Sequence, residues 1–99
     1  MKTITEENKS ALVIHEEDNV AVALADLKTG DKCIARLGEK ISVILVKEDI
    51  SFGHKIALKP IGENESVLKY GEEIGKLNRP VDRGCWIHNH NMFCERGRK

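Results

Sequence analysis

The chain of 99 residues has few aromatic side chains, few prolines, no charge excess and no long apolar run. Its four aromatics, Phe52, Tyr70, Trp86 and Phe93, are too few and too scattered to make a platform on which bases stack. Lys and Arg number 16 against 16 Asp and Glu, with a pI near 6.9. The basic excess that displaces counterions from phosphates is missing, which excludes nucleic acid as a partner. Beyond the short basic end at Arg96–Lys99 there is no charge block of the kind that makes a polybasic membrane arm or an acidic tail. The longest apolar run, Val20–Ala25, falls far short of the roughly 20 residues that cross a bilayer, which excludes a membrane span. Residues 1–10 are polar and charged and lack the apolar core of a signal peptide, so a mobile tail is expected there. Three cysteines, Cys33, Cys85 and Cys94, are an odd number in a chain without an export signal, which points to free thiols in a reducing cytoplasm.

What is present fits one small domain. A chain of this size buries proportionally less surface than a large enzyme, so a deep, dry active-site cleft is hard to build from it alone. Glycines at 30, 38, 53, 62, 71, 75 and 84 cut the chain into strand-sized segments, the turn spacing of an all-β domain. The segments Ala11–His15, Lys40–Val46, His54–Leu58, Val67–Tyr70 and Trp86–Met92 are mostly rich in Val and Ile and read as strands. Lys40–Val46 is apolar on both faces and is expected at the centre of a sheet. Glu16–Lys28 carries Val20, Leu24 and Leu27 at helical spacing and Gly30 as a stop, yet Asn19–Ala25 also reads as a strand opened by an Asp18-Asn19 turn. Periodicity alone leaves both open, and the strand reading is preferred in part on the resemblance given below. Pro60 and Pro80 fall at segment ends, where the missing N–H does little harm.

The histidines carry the chemical interest. In an extended Trp86–Met92 segment, His88 and His90 project to the same side about 7 Å apart, placed for one metal ion or one anion or for the solvent face of an edge strand. Adding Cys85 and Cys94 gives four zinc-type ligands within ten residues, without the second knuckle that structural zinc sites use. Gly53-His54-Lys55 sets an imidazole and an ammonium at a strand entrance, where they are placed to meet a carboxylate or to form a polar hairpin corner. His15 ends the first segment ahead of Asp18 and Asn19, which have the chemistry of turn formers. There is no P-loop, no dinucleotide fingerprint and no Ser/His/Asp order, and His-Asn-His lacks the hairpin and helix of a nuclease motif.

Taken as an ordered set, four motifs resemble a known family. They are His15 with Asp18–Leu24, Asp49-Ile50 with Gly53–Leu58, Val67–Glu72 with Ile74-Gly75, and Gly84–Met92. The pattern is similar to the SAF domain of the altronate and galactarate dehydratases and to the small subunit of sulfolactate sulfo-lyase, over residues 11–92, flanked by the tail at 1–10 and a basic tail at 93–99. The resemblance implies a compact β-clip domain of short strands and long hairpins. It also implies a hydro-lyase of sugar acids, in which a proton leaves next to the carboxylate and a β-hydroxide departs. That chemistry needs stabilisation of an enolate-like dianion, and the family is associated with Fe(II) or Mn(II), here expected to be held mainly by a separate large subunit. Carried over, His54 and His88 are the expected catalytic residues, and Lys55, Asp18, Asn19 and Tyr70 the substrate-binding ones. His15, His88 and His90 are the expected metal ligands. The implied partners are a large catalytic lyase chain and a small sugar-acid substrate, and near-neutral charge leaves the chain open to self-association. A sulfo-lyase subunit, a non-catalytic β-clip binding module and a zinc-stabilised domain are the alternatives.

Overall fold

The computed structural model describes residues 9–94, so most of the expected tails at 1–10 and 93–99 lies outside the described residues, while Ser10 and Phe93 fall in strands. The chain is all-β, with nine short strands and no helix among the described residues. They are β1 (Ser10–Leu12), β2 (Val20–Ala23), β3 (Lys32–Leu37), β4 (Lys40–Leu45), β5 (Lys55–Ala57), β6 (Ser66–Lys69), β7 (Glu72–Leu77), β8 (Trp86–Ile87) and β9 (Met92–Phe93). One sheet has the order β4-β3-β1-β2-β5-β8 and the other β6-β7-β9. All pairs are antiparallel except β1 with β3, which run parallel because β2 pairs with the opposite side of β1.

Each face of the larger sheet has its own core. Side chains alternate between faces along a strand, and residues paired across strands share a face. Ala11, Ala21, Ala23, Cys33, Ala35, Ile44 and Ile56 fall on one face and form a buried cluster with Val46 and the bridged pair Leu27 and Ile50. Val20, Ala57 and Ile87 fall on the other and pack against Ile61, Val67 and Leu77 of the smaller sheet and its approaches. Pro60 and Pro80 each precede a member of the Ile61–Val81 bridge. Their lack of an N–H thus costs no ladder bond.

The preferred strand reading of the Val20–Ala25 run holds as β2, where Val20, Ala21 and Ala23 are buried. Two expectations change. Lys40–Val46 is not central, because β4 is the edge of its sheet, and its second apolar face, Ile41, Val43 and Leu45, stands in solvent. Gly75 is not a turn: it lies inside β7, where a Cβ would come within 2.7 Å of the Phe93 carbonyl, so its lack of a side chain is what lets β9 approach. The strands β3 and β7 complete the two long hairpins with β4 and β6.

Candidate functional site

The pairing of β5 with β8 sets Lys55 against Ile87 and Ile56 against Trp86, which brings His54 and Lys55 beside the segment Trp86–His90 from far along the chain. The expected single strand over Trp86–Met92 breaks at Ile87. Asn91, only 2 % exposed, accepts from the His88 N–H through Oδ1 at 3.0 Å and donates through Nδ2 to the Trp86 carbonyl at 2.9 Å. The side-chain amide replaces ladder partners and closes His88–Asn91 into a turn.

That turn sends the two imidazoles to different neighbours. His88 stacks on His54 with ring centroids 4.4 Å apart and planes 14° from parallel, while His90 tilts over Trp86 at 4.3 Å. The Trp86 indole lies beside both stacked rings and donates from Nε1 to His54 Nδ1 at 3.1 Å. Neutral His54 therefore carries its proton on Nε2. Nδ1 of His88 is buried and meets no hydrogen-bond partner among the described residues. Loss of hydration, then the fields of His54, Lys55 and His90, hold the His88 imidazole below its ordinary pKa of 6.5.

Lys55 and Lys69 extend the group toward the smaller sheet. Burial first, and Lys69 second, push the Lys55 ammonium below its usual range. Lys69 Nζ in turn stands 4.8 Å from the ring centroid of Tyr70, which is 55 % exposed. Among the described residues, the charges that shift Lys55 and His88 are all lysine or imidazole, and the Glu48 carboxylate beside them accepts from the Trp86 N–H at 2.8 Å. Such a surface favours an anion.

Asp18 and Asn19 have bonding partners inside the chain. The Asp18 carboxylate, buried, accepts three backbone N–H groups: His15 and Tyr70 on Oδ2, both at 3.0 Å, and Gly71 on Oδ1 at 2.8 Å. It thereby holds the β6–β7 turn, in which Tyr70 and Gly71 both have positive φ, 60° and 76°. Tyr70 is strained in that conformation, and the carboxylate is what fixes it there. Asn19 acts as an extra pairing residue for β6, donating to the Ser66 carbonyl and accepting from the Leu68 N–H. The His15 ring packs over Gly71, so close that a Cβ there would lie 3.0 Å from it.

Two features were not read from the sequence. The Trp86 bond to His54 depends on strand pairing, and no local spacing marks it. Lys69 is marked by no local pattern either, and its place beside Lys55 comes from the fold. Among the described residues, no three His, Cys, Asp or Glu side chains are grouped to hold a metal ion. His15, His88 and His90 therefore make no ligand set by themselves, and neither do Cys85, His88, His90 and Cys94. A 170 Å³ groove lined by residues that include Val13, Asp18, Lys40 and Arg83 contains none of the imidazoles discussed above.

The sequence profile of the altronate/galactarate dehydratase SAF domain matches residues 9–95. The chain belongs to this family. It is 46% identical over 83 residues to the altronate dehydratase of Bacillus subtilis, a match covering 84% of this chain and 16% of that enzyme. Against the galactarate dehydratase (L-threo-forming) of Escherichia coli the identity is 39% over 74 residues, 75% of this chain and 13% of the enzyme. The chain thus spans about a sixth or less of the dehydratases it matches. The (2R)-sulfolactate sulfo-lyase subunit alpha of Paracoccus pantotrophus is 40% identical over 53 residues, 54% of this chain and 79% of that subunit. No helix among the described residues is long and apolar enough to cross a membrane.

Proposed function

We propose that this SAF domain is the small subunit of a cytoplasmic hydro-lyase acting on a sugar acid such as altronate, completed by a separate large chain. The observation that carries the reading is the grouping of Lys55, His54 and His88 by the β5–β8 pairing, with Lys69 beside Lys55, a set of cationic and imidazole groups suited to an anion. Family membership supplies the reaction class, and the sulfo-lyase subunit alpha supplies the precedent of a short chain serving as a subunit.

In this reading Lys55 holds the substrate carboxylate. His88, kept neutral toward lower pH than an ordinary histidine, is suited to take the proton next to that carboxylate. His54, with Nδ1 tied to Trp86, is suited to donate a hydrogen bond from Nε2–H to the β-hydroxyl, and the proton that His88 has taken is the one that turns the departing hydroxide into water. Tyr70 borders the same surface, while Asp18, Asn19 and His15 shape the turn that presents it. A divalent ion, Fe(II) or Mn(II), would draw its ligands mainly from the large chain and would supply positive charge for the enolate-like dianion.

A sulfolactate-type substrate is the second reading, favoured by the 79% coverage of the sulfo-lyase subunit. The test is turnover of altronate, galactarate and sulfolactate by the complex, with His54→Ala and His88→Ala each assembled and verified by mass. Each substitution is expected to lower turnover by about 100-fold or more. Unchanged turnover in both would remove the active-site assignment.

A further inference from the structure

One row of paired residues crosses the whole six-stranded sheet: Ile41, Arg36, Leu12, Val22, Lys55 and Ile87, each registered against the next. Paired residues share a face, so this row joins the edge strand β4 to the Lys55 site. At the Ile87 end the face is covered by the smaller sheet. At the β4 end it is open, and Leu12, Ile41, Val43 and Leu45 are 40%, 57%, 55% and 52% exposed. Three large aliphatic residues in solvent on one face of an edge strand are an association hazard unless something covers them.

Charge indicates what covers them. The registered positions of this face carry Lys32, Arg36 and Lys55 and no Asp or Glu. In a two-fold dimer built on this face, the same patch would meet itself and bring those cations together. An apolar surface edged with carboxylates matches it instead.

We infer that the large lyase chain docks on the open face formed by Leu12, Ile34, Ile41 and Val43 through apolar groups flanked by carboxylates, and that this docking sets it beside Lys55. The inference rests on the two-chain reading above and names the surface that reading leaves open. His88 follows Ile87 at the end of the row and already feels Lys55. A chain seated on the face is thus carried to the edge of the imidazole cluster.

The full chain is co-produced with a candidate large chain of the dehydratase family from the same genome, and the complex is measured by mass and by titration. Ile41→Glu and Val43→Glu place a carboxylate on exposed positions that the fold does not use, and circular dichroism checks that each variant folds. Each is expected to weaken assembly about 100-fold or more, and Arg36→Glu to weaken it as well. His54→Ala is expected to assemble as wild type. Assembly as tight as wild type in both Ile41→Glu and Val43→Glu overturns the inference, even where the complex is an active dehydratase. So does a self-dimer of this chain that Val43→Glu dissolves, or the absence of any large chain that binds. A complex broken by Val43→Glu that turns over no sugar acid or sulfolactate leaves the interface standing and removes the enzymatic reading.

Discussion

His54 and His88 lie ring on ring, 4.4 Å between centroids, with Trp86 locking the Nδ1 of His54 from the side. Loss of hydration first, and then the fields of His54, Lys55 and His90, hold the His88 imidazole below its ordinary pKa. In a proton NMR titration His88 is therefore expected to protonate below pH 6.5, and Lys55→Met to move its midpoint upward. A midpoint at or above 6.5 in the wild type would contradict the positive environment described for it.

The indole bond makes a separate claim about His54. With Trp86 Nε1 donating to Nδ1, the neutral ring is the Nε2–H tautomer, which nitrogen-15 shifts distinguish directly. Trp86→Phe keeps a ring in the stack but removes the donor, and is expected to give a mixture of tautomers. Retention of a pure Nε2–H form in the variant would mean that something other than Trp86 sets it.

Asp18 ties the approach to β2 to the β6–β7 turn through three backbone N–H groups. Asp18→Ala leaves those donors unpaired and releases the strained Tyr70. The expected loss is about 3 kcal/mol, or a fall in Tm of roughly 15 °C, with Asp18→Asn intermediate. A small change in Tm together with a large loss of substrate affinity would instead assign Asp18 to substrate binding.

The all-β character was legible because β-branched runs and spaced glycines are local signals, while the strand at Val20–Ala23 competed with a helical spacing and was preferred partly through the family resemblance. The His54, Lys55 and His88 grouping was legible only through the family resemblance, since β5 and β8 meet by long-range pairing. Lys40–Val46 shows the limit of pattern reading. Apolar residues on both faces do not by themselves mean burial on both, and here one face stays open at the sheet edge. The extended reading of His88–His90 failed for a different reason. Asn91 hydrogen-bonds to the backbone on both sides of Ile87, and a single polar side chain outweighed the strand propensity around it.

The three thiols differ in environment. Cys33 is fully buried and its pKa is pushed up to about 11, first by burial and then by Asp31, while Cys94 is exposed. Burial also raises Cys85, which lies between them in exposure. Alkylation at pH 8, followed by mass spectrometry, is expected to label Cys94 first, Cys85 more slowly, and Cys33 only on unfolding. Rapid labelling of Cys33 would mean that the sheet opens around β3.

Lys55 gives the sharpest test of anion recognition, because its cost to the empty domain and its use to a bound one have the same origin. Its ammonium is depressed below 10.5 by burial and by Lys69, so between its folded pKa and 10.5 the unfolded chain holds a proton that the folded chain has released. Stability rises with pH through that window, and below it Lys55 destabilises the fold by a constant amount. Lys55→Met is thus expected to raise Tm by a few degrees at neutral pH, an advantage that fades as pH approaches 10.5. A dicarboxylate neutralises the same repulsion: galactarate is expected to raise the Tm of the wild type and to leave Lys55→Met nearly unmoved. Equal shifts in the two proteins would place the anion elsewhere and take Lys55 out of the site.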